Sequence, residues 1–300
     1  MSFFARTDLA CESIGGAEGA QNGVDQRMEQ VGDFSVHRTK IETREAADSL
    51  GKPQGLYLTI ECGRVQSLAR EGRYLLADLL AEELRAMAER LCRKTVGADF
   101  SVFVAGLGNA ELTADAIGPQ TVQCLTATRH LKEYEQRLYR EIGCSALSAL
   151  APGVLGQTGI ETLELLRGAV ACVHPDVVLV IDALAARSCE RLSSTVQLSD
   201  VGISPGSGVG NHRSAISKET LGVPVIALGV PTVVDSATLV YDALREAGIG
   251  EVDAALRRVL ETGKSFFVSP KESDVITREF AALLADAISL AFLGDVHGML

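Results

Sequence analysis

Residues Val177–Leu184 read VVLVIDAL: five apolar residues in a row, one aspartate, then two more apolar residues. A run this apolar, with no polar alternation, suits a strand buried on both faces of a sheet and covered by helices. Two further runs share its character, SVFVAGL (Ser101–Leu107) and PVIALGV (Pro224–Val230). Stretches of helical periodicity lie between and after them, at Ala114–Thr126, Ile160–Cys172, Ser236–Ala247, Val252–Leu260 and Asp274–Ala291. Upstream, LYLTIEC from Leu56 reads as a strand, and Leu75–Leu91 carries leucines at helical spacing. Ser145–Leu150 is short and apolar, and Ser194–Leu198 alternates as an edge or antiparallel strand does. Apolar strands alternating with helices predict an α/β fold: a mainly parallel twisted sheet with helices on both faces, a three-layer arrangement of the phosphorylase/hydrolase-like kind. Residues 1–50 are polar and glycine-containing with little apolar period, so a loosely ordered N-terminal arm is expected before a single α/β domain at 51–300.

Composition narrows the function. The chain has 300 residues, 47% hydrophobic and 22% charged, which is enough apolar material for a substantial core. A net charge of −11 argues against a nucleic-acid partner, which requires a basic surface, and against an anionic membrane. Seven scattered cysteines without a C-x-x-C pair form neither a disulfide framework nor a zinc-ligand pattern. With no signal-peptide pattern and no apolar run of membrane-spanning length, a soluble cytoplasmic protein is expected.

Two aspartates stand where chemistry is expected. GLGNAELTADAIG (Gly106–Gly118) follows a strand and opens a helix, but Glu111 occupies the third glycine position of a dinucleotide fingerprint, and no phosphate-loop pattern occurs. What remains is a strand-to-helix turn carrying Asp115, with helix capping by Thr113 or Asp115 as the structural alternative. Asp182 ends a buried strand, at the sheet edge where open α/β folds bind ligands, with turn capping as its alternative. Two carboxylates projecting to one edge can share a proton, so that one acts as acid and the other as base on a water molecule. The loop DVGISPGSGVGNHR (Asp200–Arg213) holds four glycines whose N–H groups, around Gly206 and Gly208, are candidates to hold an extended substrate or an oxyanion. Ser207 lacks the G-x-S-x-G setting of an activated serine, and no H-E-x-x-H zinc site is present.

The blocks RTDLA (Arg6–Ala10), GLGNAELTADAIGP (Gly106–Pro119), TATRH (Thr126–His130), APGVLGQTGIET (Ala151–Thr162), IDALAARSCERL (Ile181–Leu192), QLSDVGISPGSGVGNHR (Gln197–Arg213), LGVPVIALGVPTVVDS (Leu221–Ser236) and VSPKESD (Val268–Asp274) resemble, in the same order, the germination proteases of spore-forming bacteria. That family is related in fold to the hydrogenase maturation endopeptidases. The resemblance implies an aspartic-type endopeptidase with catalytic residues at Asp115 and Asp182 and no cofactor or metal. It implies a zymogen that removes its own propeptide and then degrades small acid-soluble spore proteins in the spore core. It also implies a homotetramer. Cleavage after an acidic residue followed by an apolar one puts self-processing between Asp8 and Leu9, so residues 1–8 are the propeptide and 9–50 the arm. On this reading Arg187 is a candidate for the acidic residue before the cut, and Asn109 for orienting Asp115. The chain departs from larger relatives in its short propeptide and in lacking a long insertion after Tyr241. A metal-dependent maturation-type endopeptidase is the alternative, and a non-catalytic spore storage protein a third reading.

Overall fold

The computed structural model describes residues 7–14, 22–206, 214–249, 253–262 and 266–294. Helix α1 (Ala10–Ser13) precedes a hairpin of β1 (Val24–Val31) and β2 (Phe34–Ile41), then α2 (Arg44–Leu50), β3 (Gly55–Glu61) and α3 (Arg70–Cys92). Next come β4 (Ser101–Gly106), α4 (Ile117–Cys124), α5 (Arg129–Tyr134), α6 (Gln136–Ile142), β5 (Ala146–Leu150), α7 (Leu155–Thr158) and α8 (Thr162–Val173). The chain continues through β6 (Val177–Ala186), β7 (Thr195–Ser199), α9 (Lys218–Leu221) and β8 (Val225–Asp235). It ends with α10 (Ser236–Glu246), α11 (Ala254–Thr262), β9 (Phe267–Val268) and α12 (Ser273–Phe292).

One nine-stranded sheet runs β1-β2-β3-β7-β8-β6-β4-β5, with β9 beside β8. Strands β8, β6, β4 and β5 are mutually parallel, as the apolar runs predict. The other half corrects the expectation of a mainly parallel sheet: β1, β2, β3 and β7 pair antiparallel, so the sheet is mixed. The arm expected to be loosely ordered supplies two of those strands. The hairpin turns at Gly32-Asp33, with Gly32 at φ 58°. Its outer strand β1 exposes most of both faces, so its sequence (VDQRMEQV) shows no apolar alternation to read. β7 is antiparallel as its alternation suggests, but it lies inside the sheet between β3 and β8.

Helices cover both faces. On one, α3 buries Leu76, Leu80 and Leu84 at four-residue spacing and α12 buries Phe280, Leu284 and Ile288, all against Leu58, Leu198, Leu228 and Ile181 of the sheet. Each such fully buried side chain contributes about 1.5–3 kcal/mol. On the other face, α8 places Leu163, Leu166 and Val170 over Phe103, Val178 and Val180, and α1 and α2 pack on Tyr57 and Ile41. Cross-strand register then sets one row of residues on that second face. Asp182 of β6 is opposite Gly229 of β8, Gly229 opposite Gln197 of β7, and Gln197 opposite Thr59 of β3.

Candidate active site

The turn after β4 is shaped by close approach. A Cβ on Gly106 would stand 2.2 Å from the Gly118 carbonyl oxygen, and one on Gly118 would stand 2.3 Å from the Leu107 oxygen and 2.7 Å from that of Ile181. These glycines let the start of α4 sit directly on the ends of β4 and β6. Gly108, at φ 112°, comes equally close to Asp115: a Cβ there would meet the Asp115 carbonyl oxygen at 1.9 Å.

Asp115 closes a 3₁₀ turn, Thr113–Asp115, and is half-buried. Its Oδ2 accepts from the Asn109 N–H at 2.8 Å. The turn is tied down from the far side, where the Thr232 hydroxyl donates to the Ala114 oxygen at 2.6 Å and Thr277 to the Thr113 oxygen at 3.2 Å. Helix α4 begins at an Ala116 cap with no side-chain cap bond, so neither Thr113 nor Asp115 is used as its N-cap. Asp182 is 6% exposed and its Oδ1 accepts from the Ala183 N–H at 3.0 Å. Both aspartates line one cavity of about 500 Å³, together with Asp8, Gly108, Gly206 and Thr232.

The presence of Asp8 is the feature that organises the site. Its N–H donates to the Ala185 oxygen at 2.9 Å, and its Oδ2 accepts from the Ala185 N–H at 2.8 Å. Its own carbonyl oxygen accepts from Gln197 Nε2 at 3.0 Å, while Gln197 Oε1 accepts from the Ala10 N–H at 2.7 Å. Leu9 is fully buried among Leu184, Ala186 and Val234, and its N–H donates to the Thr7 hydroxyl at 3.0 Å. Lys52 Nζ donates to the Thr7 carbonyl at 2.8 Å and shares with Asp8 and Gln197 a second cavity of about 250 Å³. Burial pushes the Lys52 ammonium below the ordinary lysine value, and the negative fields of Asp8 and Glu12 oppose that fall. Downstream, Glu12 accepts from the N–H groups of Arg187 (2.7 Å) and Ser188 (3.0 Å), accepts from the Thr7 hydroxyl, and faces Arg191 at 3.7 Å.

The structure therefore brings Asp8, Asp115, Asp182 and Gly206 to one cavity and sets Asn109 beside Asp115. The Asn109 side chain faces away along its own turn, accepting from the Glu111 N–H and from Gln157 Nε2. Arg187 is exposed, and its backbone serves Glu12. Gly208 lies outside the described residues. Among the described residues no group of three or more His, Cys, Asp or Glu is arranged to hold a metal ion. Sequence reasoning missed Gln197 and Lys52. Gln197 gave no signal of its own, since in the alternating strand STVQLS it falls with Thr195 and Ser199 on the polar side, opposite Val196 and Leu198. Lys52 carried no signal at all.

Comparison with known proteins identifies a family. The model of the germination protease family matches residues 10–246. A germination protease of Caldanaerobacter subterraneus subsp. tengcongensis is 39% identical, over 95% of this chain and 93% of that one. One from Clostridium acetobutylicum is 36% identical over 95% and 94%, and one from Bacillus subtilis is 42% identical over 81% and 66%. Among solved structures, a hydrogenase maturation protease HycI from Thermococcus kodakarensis KOD1 aligns with a TM-score of 0.34 at 17% identity, over 63% of this chain and 92% of that one. Among the described residues, no helix is long and apolar enough to cross a membrane.

Proposed function

The chain belongs to the germination protease family and is a protease of aspartic type, and from that premise we propose that it is an endopeptidase that begins the degradation of small acid-soluble spore proteins. It cleaves after an acidic residue followed by an apolar one, within the spore core, as a homotetramer first made as a zymogen. One observation carries this reading. The chain's own Asp8 lines the cavity shared by Asp115 and Asp182, and the apolar Leu9 that follows it is buried beside Leu184, Ala186 and Val234.

In the proposed reaction Asp115 and Asp182 hold one proton between them. The ionised carboxylate takes a proton from water as the water oxygen bonds to the scissile carbonyl carbon. The tetrahedral carbon then expels the amide nitrogen, which leaves as an amine with a proton from the acid partner. In self-processing the bond cut is Asp8–Leu9, and residues 1–8 depart. Gly206, at the start of the glycine-rich loop, borders the cavity, and Asn109 orients Asp115 through its N–H.

The test is cleavage of a small acid-soluble spore protein by chain beginning at Leu9, so that failed self-processing does not imitate failed catalysis. Asp115→Asn and Asp182→Asn are each expected to be slower by about 10³-fold or more while remaining folded, with no effect of a chelator. Normal cutting by either variant removes that residue from the mechanism. Activity abolished by the chelator makes the carboxylates metal ligands.

A further inference from the structure

Gln197 touches the two peptide groups that flank Leu9. Its Nε2 donates to the carbonyl oxygen of Asp8 at 3.0 Å and its Oε1 accepts from the Ala10 N–H at 2.7 Å. The amide can be oriented only this way, since a carbonyl needs a donor and an N–H needs an acceptor. Gln197 is only 8% exposed. A buried amide with both ends satisfied by a segment 187 residues away is placed to recognise that backbone.

Its position in the sheet gives the contact chemical meaning. Gln197 and Asp182 flank Gly229 in the same cross-strand row, so their side chains rise from the same face about 10 Å apart, two strand spacings. Between them Gly229 contributes no side chain, and the space above it is taken by Leu184, whose Cγ would stand 2.6 Å from a Cβ there. Asp8 lies across this gap, bound on one side to Ala185 of the strand that carries Asp182 and on the other to Gln197. Asp8 lines the cavity that Asp115 and Asp182 also line, and its carbonyl oxygen is held by an amide donor.

We propose that Gln197 is a catalytic residue: its Nε2–H polarises the carbonyl of the acidic residue before the cut and stabilises the oxygen as negative charge builds on it. This rests on the proposed cleavage after Asp8 and deepens it. As water adds to the carbonyl carbon, the C=O π electrons move onto the oxygen that Nε2 already contacts. A hydrogen bond to an oxygen gaining charge strengthens in the transition state, which is the condition for raising kcat. The Oε1 contact to the N–H two residues on is unchanged through the reaction and serves to position the chain. A substrate protein presents the same two backbone groups, so the clamp reads no side chain.

The experiment separates the donor from the acceptor. Gln197→Glu keeps an oxygen for the N–H two residues on, has nearly the same shape, and removes the donor. In full-length chain, release of residues 1–8 followed by mass spectrometry is expected to slow about 100-fold for Gln197→Glu and Gln197→Ala. In chain beginning at Leu9, kcat on a small acid-soluble spore protein is expected to fall by the same factor, with KM changed less than about threefold. Urea unfolding of each variant is run alongside, and Gln197→Glu carries the test if Gln197→Ala does not fold. Wild-type kcat in both variants, while Asp115→Asn is inactive, overturns the proposal and leaves Gln197 as a tether for the N-terminal segment. A rise in KM with kcat unchanged overturns it as well, because the contact is then equal in ground and transition states. If Asp115→Asn also cuts normally, the failure lies in the carboxylate mechanism, and the Gln197 kinetics still decide its own role.

Discussion

At the scale of single residues, Asp115 was legible because it follows an apolar run. Asp182 does not end its strand as expected: β6 runs on to Ala186, and Asp182 reaches the ligand edge because its neighbour β4 stops at Gly106, opposite Ile181. Gln197 and Lys52 were not legible, because their meaning comes from partners brought together by the fold: the Gln197 contact joins residues 187 apart, and the Lys52 contact joins residues 45 apart. Lys52 carries a prediction of its own. Its ammonium holds the Thr7 carbonyl at 2.8 Å and borders the same cavity as Asp8, while the Asp8 carboxylate takes the Ala185 N–H. A positive charge partly withdrawn from water attracts a neighbouring carboxylate more strongly than an exposed one does. On the proposed cleavage after an acidic residue, Lys52 is placed to select that acid, with Arg187, exposed just beyond β6, as the other candidate. Lys52→Met is expected to reduce the preference for Asp over Asn at that position by about tenfold in kcat/KM, as suits a charge-assisted contact. Paired peptides differing only at that residue measure the ratio, with Arg187→Met as the comparison. An unchanged ratio in Lys52→Met and a fall in Arg187→Met would move the role to the arginine.

At the scale of elements, the parallel half of the sheet was readable and the antiparallel half was not. Strands β6, β4 and β8 are covered on both faces, so burial forces nearly every position to be apolar. β1 has a neighbour on one side only and most of its residues are exposed, so nothing constrains its pattern. Helices α5 and α6 are six and seven residues long, too short to show a period. The turn holding Asp115 illustrates the reverse case. GLGNAELTADAIG looks like a failed nucleotide motif, yet its glycines are required by the packing of α4 on two strand ends. Gly118→Ala would drive a Cβ against three backbone atoms, the Leu107 oxygen and nitrogen and the Ile181 oxygen, at 2.3–2.7 Å. Backbone cannot rotate aside as a side chain can, so α4 must lift. The expected loss is about 3 kcal/mol or more of stability, with activity falling as the Asp115 turn moves. Gly168→Ala is the matched control, since a Cβ there meets nothing within 4 Å on the exposed side of α8. It is expected to stabilise by about 0.5–1 kcal/mol, as a glycine in a helix interior does on replacement. Urea unfolding of the two variants checks both signs, and equal effects would mean that the tight contact at Gly118 is relieved more easily than its geometry allows.

At the scale of the whole molecule, the N-terminal segment acts as a keystone between distant parts of the sheet. It is bound by Ala185 of β6 and Gln197 of β7, and its Glu12 meets Arg191, which also binds Glu61 at the end of β3 at 2.8 Å. His37 of β2 stands 3.5 Å from the same Glu61. With His37 beside it, and Arg191 as the firmer partner, the Glu61 carboxyl is held down at about 2 from an ordinary carboxylate value of 4.5. A carboxyl depressed in the folded state contributes stability above its unfolded pKa. That contribution is lost as pH falls through the folded pKa, because the unfolded chain takes up the proton first. The window here runs from about 4.5 down to about 2. Glu61 is a third exposed, so after solvent screening the contribution is about 1 kcal/mol, well below what the full shift would imply. Glu61→Gln is therefore expected to be about 1 kcal/mol less stable than the parent chain at pH 7, with the gap closing as pH is lowered toward 2.5. Urea midpoints of both chains at matched pH values measure this gap. A gap that stays constant from pH 7 to pH 2.5 would show that Glu61 acts through packing, and that the charge link between the N-terminal segment and the antiparallel half of the sheet is not what holds the two together.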